Sequence, residues 1–133
     1  MKNRPTLTLD DCRKISAAAE AEAKKNNWNV CISILDDGGH LLHLIRMDGA
    51  SPANARIAVE KGRTAAESRR STAAWQERVR TRPELLRMQE ITPVQGGLPI
   101  MVEGGCVGGV GVSGVQSHED EQIAKAGIDA LLR

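Results

Sequence analysis

GGLPIMVEGGCVGGVGVSG, residues 96–114, is the stretch that decides the fold. Residues 98–103 (LPIMVE) and 106–115 (CVGGVGVSGV) read as two strands turning at Gly104-Gly105, where glycine tolerates a positive φ. Gly109, Gly111 and Ser113 fall on one face of the second strand and leave it nearly flat. A sheet face so poor in side chains permits close approach of another backbone, or of a ligand. Residues 109–114 (GVGVSG) also spell G-x-G-x-x-G. A dinucleotide-binding unit would need a further strand with an acidic residue about 20 positions on. Residues 115–133 read instead as one helix, so the dinucleotide reading is set aside.

Moving upstream, residues 29–36 (NVCISILD) and 40–47 (HLLHLIRM) form a second hairpin around Asp37-Gly38-Gly39. Both strands carry apolar residues on both faces, which predicts a sheet covered on each side. Between the hairpins, Ser51-Pro52 opens a helix to about Arg70, an N-cap followed by proline at the first helical position. Its packing positions Ala55, Ala58, Gly62, Ala65 and Ala66 are small, so it should lie close against the sheet. Ser71-Thr72 starts a shorter helix to about Arg80, and Pro83 a single turn.

At the N-terminal side, Thr8 and Asp11 have capping-box spacing, and Leu9, Cys12, Ile15, Ala19 and Ala23 recur at helical intervals. The last helix begins at Ser117, with Glu119, Asp120 and Glu121 at its positive dipole end. The order is helix, hairpin, two helices, hairpin, helix. Short connections make each hairpin antiparallel, so the class is α+β, with residues 1–133 expected to form a single domain.

Composition excludes several function classes. A net charge of +1 creates no field for nucleic acid or an anionic membrane. The basic run from Lys61 to Arg87 is interleaved with Glu67, Glu77 and Glu84, as on a solvated helix face. With no Phe or Tyr, and only Trp28 and Trp75, it offers no platform for stacked bases. Cys12, Cys31 and Cys106 form no C-x-x-C pair, which reads as reduced thiols and no zinc site. The opening MKNRPTLTLDD has no apolar signal core, and no apolar run approaches the roughly 20 residues of a membrane span. A cytoplasmic protein is expected.

Four strings carry a family likeness: DDGGHLLHLIRMDGA, KGRTAA, the stretch quoted first, and DEQIAKAGIDAL. Together, and in this order, they resemble the GlcG/HbpS-like family, which includes the C-terminal domain of PduO-type corrinoid adenosyltransferases. The resemblance runs from about Leu7 to Leu132. It implies a five-stranded antiparallel sheet with helices on both faces, profilin-like in outline, and a homo-oligomer. The family's D-x-G-G-x-L turn matches Asp36 or Asp37 with Gly38, Gly39 and Leu41, and its R-M-D matches Arg46, Met47 and Asp48. K-A-x-T-A matches Lys61, Thr64 and Ala65, with Gly62 where alanine is usual; G-G-x-P-I matches Gly96, Gly97, Pro99 and Ile100; G-V-S-G matches Gly111 to Gly114. Through the resemblance haem or a corrinoid becomes a candidate cofactor, since some relatives bind haem and one branch is attached to cobalamin metabolism. Haem-binding members can use a histidine on the first helix, and residues 8–26 contain none; Cys12 is the nearest substitute.

The candidate ligand-binding residues are Arg46, Lys61, Thr64, Gly96, Gly97, Pro99 and Ser113. Arg46 and Lys61 supply cations, and the 96–99 loop supplies N–H groups that glycine leaves accessible to an anion. The candidate catalytic residues are Lys61, Thr64 and Glu67, with Lys61 as an amine tuned by burial and Glu67 or Glu103 as its partner. His40 and Cys12 are the nearest metal donors, but no metal-ligand spacing surrounds them. Cations and N–H donors without a nucleophile–base set point to an accessory protein that binds a carboxylate-bearing metabolite or a tetrapyrrole. The alternatives are a small catabolic enzyme (lyase, isomerase or decarboxylase) and a purely structural subunit.

Overall fold

Thr8 starts helix α1 (Leu9–Lys25) by closing both halves of a capping box. Its Oγ1 accepts from the Asp11 N–H at 3.2 Å, and Asp11 Oδ2 accepts from the Thr8 N–H at 2.8 Å. The computed structural model describes residues 1–133. After α1 come strands β1 (Cys31–Asp36) and β2 (Leu41–Arg46), helices α2 (Pro52–Ser68) and α3 (Thr72–Thr81), and a 3₁₀ turn (Pro83–Arg87). Strands β3 (Gly97–Val102) and β4 (Gly105–Ser113) precede the last helix, α4 (Ser117–Leu131). The order of elements is the one the residue pattern implies. Arg69, in the left-handed region at φ 60°, ends α2 just short of the expected Arg70. Ser51 does not cap α2 with its side chain; its Oγ instead accepts from the Asn54 amide at 2.9 Å.

The sheet has four strands in the order β2-β1-β4-β3, with every neighbouring pair antiparallel. The fifth strand implied by the family resemblance is absent. Residues 88–96, the longest stretch between the helices and β3, spend their N–H groups on side chains and local turns instead of on a ladder: the Val94 N–H donates to the Thr92 carbonyl at 2.9 Å. The Thr92 N–H donates to Thr64 Oγ1 at 2.9 Å, the Gln95 N–H donates to Gln76 Oε1 at 2.9 Å, and Pro93 has no N–H.

Period-two alternation sorts the two inner strands into two chemistries. Val30, Ile32 and Ile34 around β1, with Val110 and Val112 of β4, join Ile15, Ala19, Ile123 and Ile128 of α1 and α4 in the main apolar core. The opposite face carries Cys31, Ser33 and Leu35 of β1 and Gly109, Gly111 and Ser113 of β4, and takes α2. There Ser33, Gly111 and Gly97 lie side by side across three strands. A Cβ on Gly111 would collide with the Ala58 carbonyl and the Gly62 N–H of α2, and one on Gly97 with the Lys61 carbonyl. The helix backbone therefore sits on the sheet backbone, and Ser33 Oγ donates to the Ala58 carbonyl at 2.7 Å. Of the two approaches this face permits, backbone or ligand, it is the backbone of α2 that takes the space.

Helix α3 is fixed by Trp75, whose Nε1–H donates to Ser68 Oγ at 2.8 Å under the Arg78 guanidinium, 4.9 Å from the ring centre. The expectation of a sheet covered on both sides fails at β2. The helices lie over the inner strands, and edge strand β2 leaves Leu41, Leu42 and Leu44 49%, 38% and 38% exposed.

A buried ion pair ties the two helical layers together. Lys61 Nζ on α2 donates to the Val112 carbonyl at 3.0 Å and to Asp120 Oδ2 on α4 at 3.1 Å. Both residues are only 2% exposed, and Asp120 Oδ1 accepts from the Val115 N–H at 3.1 Å. Burial pushes the Asp120 carboxyl above its ordinary range, and the Lys61 ammonium only partly pulls it back.

Two outcomes follow for urea denaturation. Gly111→Ala is expected to cost about 1–3 kcal/mol or more through overpacking. Gly105→Ala, whose Cβ would find its nearest neighbour at 3.7 Å, should stay within about 0.5 kcal/mol of wild type. Lys61→Met or Asp120→Leu alone should cost about 3–5 kcal/mol by stranding a buried charge, and the double variant should regain most of that loss.

Candidate functional site

Most residues singled out in the sequence are committed to internal bonds. Lys61 faces Asp120 and the Val112 carbonyl. Thr64 Oγ1 donates to the Glu60 carbonyl at 2.9 Å and accepts from Thr92. Glu67 is exposed beside the Gly39 turn, and neither it nor Glu103 pairs with Lys61. The Gly97 N–H, expected in an anion cradle, donates to Thr72 Oγ1 at 2.8 Å, and the Gly96 carbonyl accepts from Val112 at 3.0 Å. Pro99 has no N–H to offer and sits in β3 opposite Gly109. Ser113 Oγ donates to Asn54 Oδ1 at 2.7 Å. The structure therefore brings Lys61, Gly96 and Gly97 together, but around packed protein atoms.

Arg46 is different. It is the last residue of β2, exposed, and opens onto a cleft of about 380 Å³ between the C-terminal turns of α1 and the end of β2. Glu20 and Lys24 line it from α1, Asn29 from the link to β1, and Ile45, Met47 and Asp48 from the chain around Arg46. The local backbone is held by the Met47 N–H donating to the Val30 carbonyl at 3.0 Å and the Ala50 N–H donating to the Met47 carbonyl at 3.1 Å. Gly49 takes φ 89°, a conformation that favours glycine, and a Cβ there would meet Asn29 Nδ2 at 3.0 Å. Lys24 Nζ and Glu20 Oε2 pair at 2.6 Å, and that bond holds the lysine above its usual range. Arg46 pairs with no carboxylate, including that of Asp48.

The sequence points to Arg46 but not to its surroundings. By sequence, Lys24 is only a complement to the helix dipole, and Asp48 only a partner for Arg46. Glu20 and Asn29 give no local signal, because the cleft is assembled from three segments distant in the chain.

A tetrapyrrole needs an axial donor for its metal. A second, mainly apolar cleft of about 220 Å³ lies between Leu7, Val102, Val107 and Leu131. Neither cleft contains an imidazole, a thiolate or a phenolate, and Met47, the one thioether, packs against the core. Cys12 is fully buried, and burial pushes its thiol up, away from the thiolate that iron would need. His40 is exposed and bonded through Nδ1 to Asp36 at 3.2 Å; His118 is exposed on α4. His43 lies in β2 with a buried Nδ1 that has no hydrogen-bond partner. The residues present do not fit haem or a corrinoid. No helix is long and apolar enough to cross a membrane.

Comparison with known proteins agrees with the fold. Residues 7–129 match the family model described as haem degrading protein HbpS-like. Protein GlcG of Escherichia coli K12 is 45% identical over 114 residues, 85% of each chain. The crystal structure of a double mutant of Streptomyces reticuli HbpS superposes with a TM-score of 0.90 at 31% identity, covering 97% of this chain and 89% of that one. A crystal structure of a PduOC:haem complex gives a TM-score of 0.87 at 25% identity, covering 95% of each chain. The chain belongs to the HbpS-like family.

Proposed function

We propose that this protein is a ligand-binding accessory protein that takes a small carboxylate-bearing metabolite in the cleft between α1 and β2. The observation that carries the reading is Arg46, a guanidinium with no carboxylate partner at the mouth of a cleft of about 380 Å³. A planar guanidinium binds a carboxylate through two parallel N–H···O bonds, a geometry no lone ammonium reproduces. The volume lies at the low end of the roughly 300–1,000 Å³ typical of ligand pockets, which suits a small acid. The haem of the PduOC complex is not carried over, since neither cleft supplies an axial donor. An enzymatic reading has no comparable support, because the amine it needs, Lys61, lines neither cleft.

The reading includes self-association. An apolar edge strand invites strand pairing or burial, and β2 presents three exposed leucines with no lysine or proline to blunt it.

Titration calorimetry with isovalerate tests the site: Arg46→Gln should weaken binding at least tenfold, and unchanged affinity would refute the assignment. Sedimentation velocity tests the assembly. Wild type should sediment as an oligomer and the Leu42→Glu, Leu44→Glu double variant as a monomer; a monomeric wild type would remove this part of the reading.

A further inference from the structure

We infer that the ligand of the α1–β2 cleft is a zwitterion, carrying an ammonium beside its carboxylate. This rests on the reading of the cleft as a binding site and adds the second charge. The cleft has two anions and two cations on its walls. One pair, Glu20 and Lys24, is closed at 2.6 Å and neutralises itself. The other, Arg46 and Asp48, stays open although only Met47 separates the two residues in the chain.

The chain turns directly after Arg46. Strand β2 ends at Arg46, and the chain turns at once through the Ala50-to-Met47 hydrogen bond and the positive φ of Gly49. Asp48 pairs with no other cation in the molecule. An open pair of opposite charges in one cleft is complementary to a molecule whose own charges are separated. A plain carboxylate bound by Arg46 would sit near the Asp48 anion uncompensated; an ammonium on the same molecule converts that repulsion into a second ion pair. Asn29, wedged against Gly49, brings an amide with both a donor and an acceptor to the same space. Ile45 and Met47 give the cleft its apolar surface, which suits a short aliphatic side chain. The class is therefore a small aliphatic amino acid or a compound of the same charge pattern.

Three probes share one branched four-carbon unit: L-valine, isovalerate, which lacks the ammonium, and isobutylamine, which lacks the carboxylate. Calorimetry on the full chain should rank valine at least tenfold tighter than isovalerate, with isobutylamine weakest. Asp48→Asn should bring valine down to the level of isovalerate and leave isovalerate as tight or tighter; Arg46→Gln should weaken both. Both side chains are exposed, so circular dichroism should show both variants folded. Isovalerate binding as tightly as valine to wild type, or valine binding unchanged in Asp48→Asn, would overturn the zwitterion while Arg46-dependent carboxylate binding survived. Failure of both valine and isovalerate to bind would overturn the site as well.

Discussion

The seating of one helix backbone directly on a sheet backbone is the constraint from which the rest of this structure follows. Ser33, Gly111 and Gly97 make a trough one residue wide across three strands, and α2 lies in it at Ala58, Lys61 and Gly62. At Gly111 and Gly97 no side chain intervenes, and at Ser33 the hydroxyl bonds to the Ala58 carbonyl, so the helix has little freedom to slide or rotate. Its position carries Lys61 to the rim of the sheet, where the ammonium reaches Val112 on β4 and Asp120 on the far layer. A side chain in the trough would lift the helix and separate that pair. The glycines that look like room for a ligand are room for protein.

The binding reading consequently moves to the β2 edge of the sheet, beside α1. The trough is closed by α2, whereas the α1–β2 cleft is open and holds two charged side chains, Arg46 and Asp48, without ion-pair partners. The family frame is kept and the interior stays small: a chain without Phe or Tyr packs Ile, Val and Ala around its helices and leaves no broad apolar slot. That is consistent with a compact, charged ligand and with the lack of a metal donor in either cleft.

What the sequence discloses and what it withholds divide along a physical line. The Thr8–Asp11 cap, the two glycine turns and the alternation of Val110 and Val112 with Gly109 and Gly111 are local, and local chemistry determines them. The residue pattern itself specifies four strands; the fifth comes only from likeness to relatives, and in the 88–96 segment the Thr92 and Gln95 N–H groups go to Thr64 and Gln76 instead. Lys61 stands out in the sequence, but its partner is 59 residues away on another layer, and Asp120 looks like an ordinary acid at a helix start. The exposure of β2 is hidden for the same reason. Alternation reports which residues could be covered, not how far the covering helices extend.

The Lys61–Asp120 bond also bears on how the molecule comes apart. Its two charges belong to elements on opposite faces of one sheet, and each is sealed from water by the layer to which it is anchored. If either helix peeled away alone, it would leave an uncompensated ion in an apolar setting, far costlier than fraying of an ordinary surface helix. Partial opening is thereby penalised from both sides, and the two layers loosen together or not at all.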